Sequence, residues 1–219
     1  MYQQQLLNDR RSDAGHIRVA ERDLELLRVV GEQFAITLPQ LARLMGRSQH
    51  AARWLRSRWQ RAGWVEGRAL LVSEPVFIWL TRPGQRLADL PYKLWVPNPV
   101  MLAHIRAVTD VRLWVMGRRP EADWISERAL AKAQERGPGR RHGHRPDALV
   151  RAEGKEVAVE VELALKKRER LERLVRETVA RYGSVWYFVA PTPRGALEQI
   201  AQAIGGERVQ VFPLPETER

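Results

Sequence analysis

Cysteine is absent from this 219-residue chain, which excludes disulfides, thiolate metal sites and a cysteine nucleophile. Lysine is scarce, supplying five of the 37 basic residues. No apolar run approaches the roughly 18 residues needed to cross a bilayer. The opening Met1-Tyr2-Gln3-Gln4-Gln5 has neither the basic start nor the apolar run of a signal peptide. Together these absences predict a soluble, cytoplasmic protein that does not engage membranes. Repeats and low-complexity tracts are missing too.

Arginine is what the chain has in excess. Basic residues number 37 against 26 acidic ones, a net charge of +11. Such an excess attracts polyanions over long range, and the planar guanidinium fork suits phosphates and guanine edges. A GC-rich coding sequence would favour Arg over Lys, but it would not create the net excess. With 44% hydrophobic and 29% charged residues the composition is that of a globular protein.

The clearest break is the run from Leu90 to Pro99, where Pro91, Pro97 and Pro99 forbid a continuous helix. It divides the chain into residues 1–90, a Pro-rich linker at 91–99, and residues 100–219. Both halves are basic, at +5 and +6, so both are able to touch nucleic acid.

In the first half, residues 19–31 put Leu24, Leu27 and Val30 on one helical face. Thr37 caps a second helix with Leu38, Leu41 and Leu44 inward and Pro39 in its first turn, and Gly46 is its left-handed stop. Ser48 caps a third helix reaching Ala62, with Ala51, Trp54, Leu55 and Trp59 as its buried side. Strand-like runs follow at 64–66 with 70–72 and at 76–80, and residues 81–87 enter a further helix.

A helix, a short glycine turn and a capped second helix form the geometry that lays one helix in the major groove. Its exposed N-terminal residues are Gln49, His50 and Arg53, beside Ser48. Arg47, Arg56 and Arg61 stand ready for phosphates or base edges. Arg68, between the two strand runs, is where a wing would meet the DNA backbone. The bland alternative is a helical pair that mediates dimerisation. Helices followed by a hairpin favour a complete winged helix-turn-helix, with Trp54, Trp59 and Trp79 packing its core.

The second half reads α-β-β-β-α-β-α-β, an α/β domain with a mixed sheet. Its first helix, residues 100–115, carries Met101, Ile105 and Val108 on one side, and 124–128 forms a strand. A Gly/Arg/His-rich loop at 135–144 includes Arg136, Arg140, Arg141, His142 and His144. It leads, through Arg145, to Pro146-Asp147 on one strand and Glu160-Val161-Glu162 on the next. The loop's Arg and His residues are expected DNA contacts. Residues two apart on a strand share a face, so Glu160 and Glu162 point away from Val157, Val159, Val161 and Leu163. Paired carboxylates destabilise each other unless they are solvated, protonated or bound to a cation. A divalent metal, Mg2+ or Mn2+, held by Asp147 and Glu160 would satisfy them and could position a water against a phosphodiester. A solvated face with ion pairs to Lys166, Lys167 or Arg168 would satisfy them as well.

At these residues the chain resembles the PD-(D/E)xK nuclease superfamily, with Pro146-Asp147 followed by Glu160-Val161-Glu162 over roughly residues 100–205. The resemblance implies a restriction-endonuclease-like domain in which Asp147 and Glu160 hold a metal. It also implies a Lys that activates water, but Glu162 stands where that Lys belongs. Lys166 could reach back in its place; otherwise Glu162 is a third ligand or catalysis is lost. Glu127 is a further acid near the preceding strand. The whole arrangement also resembles the plasmid replication-relaxation family. That likeness rests on the N-terminal winged helix, Trp79-Leu80-Thr81-Arg82-Pro83-Gly84 and His144-Arg145-Pro146-Asp147. It implies double-stranded DNA as partner, in replication or mobilisation of a plasmid or other mobile element. A homodimer or other mobile-element proteins would be the protein partners. Two other readings stay open: a metal-dependent endonuclease, and a winged-helix repressor whose second half dimerises or senses a ligand.

Overall fold

A computed structural model describes residues 18–72, 74–136 and 144–216. It is a mixed α/β structure with eight α-helices among the described residues, a three-stranded sheet and a five-stranded mixed sheet.

The N-terminal portion runs α1 (Glu21–Glu32), β1 (Ile36–Thr37), α2 (Leu38–Met45), α3 (Gln49–Arg61), β2 (Val65–Arg68), β3 (Phe77–Leu80) and α4 (Arg82–Leu87). The caps form where polar residues precede apolar stripes. Thr37 Oγ1 accepts from the Gln40 amide and Gln40 Oε1 accepts from the Thr37 amide, a reciprocal capping box. Gly46 closes α2 in the left-handed region at φ 59°, which a side chain would resist. Ser48 caps α3 by accepting from the Ala51 amide. Asp23, buried in the first turn of α1, accepts from the Ala20 amide and from the Trp59 indole (3.0 Å), and Arg58 sits on the same carboxylate. One carboxylate therefore ties α1 to α3. At Gly84 an added Cβ would lie 1.9 Å from the Trp64 carbonyl oxygen, so glycine lets α4 press onto the hairpin.

Three expectations need correction here. Leu70–Val72 is no strand. The hairpin pairs Val65–Arg68 with Phe77–Leu80, and β1 adds a third, antiparallel strand to the far side of β3. Arg68 thus ends a strand opposite Phe77 rather than lying between two. Trp54 is 61% exposed, because the buried stripe of α3 runs through Ala52, Leu55 and Trp59 and Trp54 falls off it.

The segment before α5 (Pro99–Arg118) packs rather than dangles: Trp95 lies against Phe34 and Trp79. α5 is apolar on two sides. Leu102 and Ile105 join Ala35, Phe77 and Trp79, while Ala107, Val108, Val111 and Val115 cover the larger sheet. Met101 is exposed and Leu102 takes the inward place. Gln40 donates to the Arg106 carbonyl, and Arg43–Asp110 (2.9 Å) and Arg112–Glu32 (2.6 Å) complete the seam.

The larger sheet has the order β4 (Asp123–Ser126), β5 (Ala148–Ala152), β6 (Lys155–Glu162), β7 (Val185–Val189), β8 (Val209–Pro213). The first two pairings are antiparallel and the last two parallel. Parallel neighbours need crossovers, supplied by α7 (Arg168–Tyr182) and α8 (Pro191–Gly205). Residues 124–128 are not one strand: after Ser126 the chain enters α6 (Glu127–Arg136). α7 and α8 cover one face through Leu171, Val175, Leu197 and Ile200, and α5 covers the other.

Candidate functional site

Two groups of polar side chains stand out. The first lies on α3 and its approach. Arg47, Ser48, Gln49, His50, Arg53 and Arg61 are exposed. Among the described residues no carboxylate forms an ion pair with Arg47, Arg53 or Arg61. Arg56 is half-buried, its chain against Gly67 of β2, and Arg68 is paired with Glu66 at 3.3 Å. Arg58 reaches from Asp23 to within 5.7 Å of the exposed Trp54 ring. The α3 face is therefore cationic and polar, with one aromatic on it. Arg140, Arg141 and His142 lie outside the described residues.

The second group gathers around the C-terminal end of β6. Asp147 lies just before β5, one residue beyond the ladder in which Ala148 faces Val159. That register carries it opposite Glu160. Its Oδ2 accepts from the Val161 amide at 2.7 Å, and its Oδ1 meets His104 Nε2 of α5 at 2.9 Å. Glu160 Oε1 meets His144 Nε2 at 2.6 Å. Glu162 is held by the Lys166 ammonium. Glu160 and Glu162 share the α7/α8 side with Ala158 and are 8% and 6% exposed. They do not form the solvated face that was one expectation. His144, expected on DNA, is the partner of Glu160.

Burial pushes the Glu160 carboxyl up to about 7, with nearby Asp147 adding to the rise and His144 and Lys166 opposing it. The hydrogen bond to Glu160 holds the His144 imidazole above its ordinary value against the pull of burial. For His104, burial favours the neutral ring, but the hydrogen bond and charge of Asp147 outweigh it and the value is raised. Both the His144 and the Glu160 shift favour the protonated form of the group concerned. Arg145 reaches Glu127 and Gln134, both at 3.3 Å, beside this cluster.

Sequence reasoning brought Asp147, Glu160, Glu162 and Lys166 together and missed His104. That histidine lies 43 residues before Asp147 on a helix assigned from its apolar residues alone, and nothing local announces the contact. As arranged, Asp147 holds His104 and the Val161 amide, Glu160 holds His144 and Glu162 holds Lys166, so Mg2+ or Mn2+ would compete with these donors for the carboxylate oxygens. Among the described residues no three His, Cys, Asp or Glu side chains converge as ligands.

The chain matches no family model, no curated protein and no solved structure.

Proposed function

We propose that this protein binds double-stranded DNA through a winged helix-turn-helix, with α3 in the major groove. It would serve as an accessory factor in replication or mobilisation of a plasmid or other mobile element. The observation that carries this reading is the α3 face. Arg47, Arg53 and Arg61 are exposed without a carboxylate partner among the described residues, beside Gln49 and His50. Arg on guanine and Gln on adenine are bidentate pairings, and unpaired guanidinium groups exchange little for phosphate. The net charge of +11 supplies the long-range attraction. The larger sheet with Asp147, Glu160 and Glu162 is then a nuclease-like scaffold whose carboxylates are satisfied internally by His104, His144 and Lys166.

A second reading, a metal-dependent endonuclease, draws support from Lys166. It returns to the Glu162 carboxylate, where a migrated lysine would serve an attacking water. In that reading an entering metal would compete with the two histidines for their carboxylates.

Binding of the full chain to a random duplex pool, followed across salt concentrations, tests the first reading. Enrichment of a defined sequence and an affinity that falls steeply with salt are expected. A pool that emerges unselected, with no salt dependence, would reject it.

A further inference from the structure

The larger sheet is covered unevenly. Three helices, α6, α7 and α8, lie over one face, whereas α5 alone lies over the other. Toward β7 and β8 the α5 side runs out of helix, leaving Trp186 and Phe212 half-buried and Gln210 exposed. The C-terminal end of α5 brings Trp114, Arg118 and Arg119 to the same place, and together they border a cleft of about 420 Å³.

The cleft is aromatic at its base and cationic at its rim. Trp114 and Trp186 lean on Phe212 from centroid distances of 6.3 and 6.2 Å. The Arg118 guanidinium lies 4.0 Å over the Trp114 ring, and Arg119 lies 5.5 Å from the Trp186 ring. Neither arginine has an ion-pair partner among the described residues, and Glu121 is the one carboxylate in the lining. Gln210, beside Trp186 in the β7–β8 register, adds an amide able to donate and accept.

We propose that this cleft binds an unpaired nucleotide of a nucleic-acid strand, the base stacking against Trp186 and the phosphates meeting Arg118 and Arg119. Any base offers a π-face to an indole, and guanidinium groups beside an aromatic platform are what a flexible polyanion with flat bases requires. Bases inside a duplex have their faces covered, so the site selects unpaired strand. The volume lies within the range of small-ligand clefts. Ten or more residues of α5 separate it from His104, about 15–20 Å at the helical rise. It is therefore distinct from the carboxylate cluster, and none of its residues belongs to the α3 face. The protein would hold duplex with one surface and unpaired strand with another.

The test uses the full chain and a fluorescently labelled oligothymidylate about eight nucleotides long, a length within the span of single-strand sites. Anisotropy should report salt-dependent binding, and tryptophan emission should be quenched. The double variant Arg118→Ala/Arg119→Ala, exposed at both positions, should fold as wild type and bind about tenfold or more weakly. Arg53→Ala should leave oligothymidylate binding unchanged while weakening binding to the duplex selected by wild type, so failure of either surface shows separately. No wild-type binding, binding without quenching, or equal affinity in the double variant would overturn the proposal. So would sedimentation showing a dimer that the double variant dissociates, since the cleft would then belong to a second copy of the chain.

Discussion

His144 Nε2 stands 2.6 Å from Glu160 Oε1 at the buried end of β6. Glu160 titrates near 7 and both His144 and His104 lie above their ordinary value. The folded protein thus holds these protons more tightly than the unfolded chain. For the histidines, the stabilisation is fully present below about 6.5 and is lost as pH rises through their raised values. For Glu160, the protonated form is favoured by folding below about 4.5, and that advantage disappears as pH rises to about 7. All three act in one direction.

Stability should therefore increase from pH 8 to pH 6. Thermal melts in matched ionic strength should show a higher Tm at pH 6, and Glu160→Gln should flatten the dependence. Because Gln keeps an acceptor for His144 without a buried charge, Glu160→Gln should be neutral or stabilising at pH 8. A wild-type Tm that falls on going to pH 6 would contradict this pairing.

Lys166 is the charge partner of the buried Glu162. Lys166→Ala leaves that carboxylate without its cation and should cost about 1–3 kcal/mol, since the ammonium itself is partly solvated. Adding Glu162→Gln should recover part of the loss. Urea unfolding of the two single variants and the double variant measures the coupling, and strictly additive losses would separate the two residues.

The occupied carboxylates bear on metal chemistry. At pH 6, below the raised values of both histidines, a Mg2+ titration should give no saturable heat. Supercoiled plasmid should remain intact with Mg2+ or Mn2+. Nicking by wild type that disappears in Asp147→Ala would instead establish the endonuclease reading.

How much of this was readable in the sequence differs by element. Thr37, Gly46 and Ser48 act over three or four residues, so the boundaries of α2 and α3 follow from local chemistry. β1 spans two residues and exists only because β3 accepts it, a partnership that no periodicity records. α6 escaped because Leu130 is its only large apolar residue and the basic loop follows it. Trp54 misled by its size: a residue one position from the buried Leu55 turns by about 100° and meets solvent. At the carboxylate site, Asp147, Glu160, Glu162 and Lys166 sit close together in sequence on adjoining strands and the loop after them. His104 arrives from a helix whose position depends on the whole core.

Asp23 supports the surface proposed to read DNA. Asp23→Ala strands the Trp59 indole and Arg58 and should destabilise the protein by about 2–4 kcal/mol, read by urea unfolding. Asp23→Asn, which keeps an acceptor, should lose less. Equal losses would mean that the indole contact contributes nothing.

The most direct measurement is the affinity of Arg53→Ala and Gln49→Ala, each in the full chain, for the duplex selected by wild type. Both side chains are exposed, so the fold should survive and circular dichroism should be unchanged. Each variant should lose about 1–3 kcal/mol on the selected duplex and relax preference at one base position, while binding to random duplex changes little. Wild-type affinity and wild-type preference in both variants would show that α3 does not read DNA.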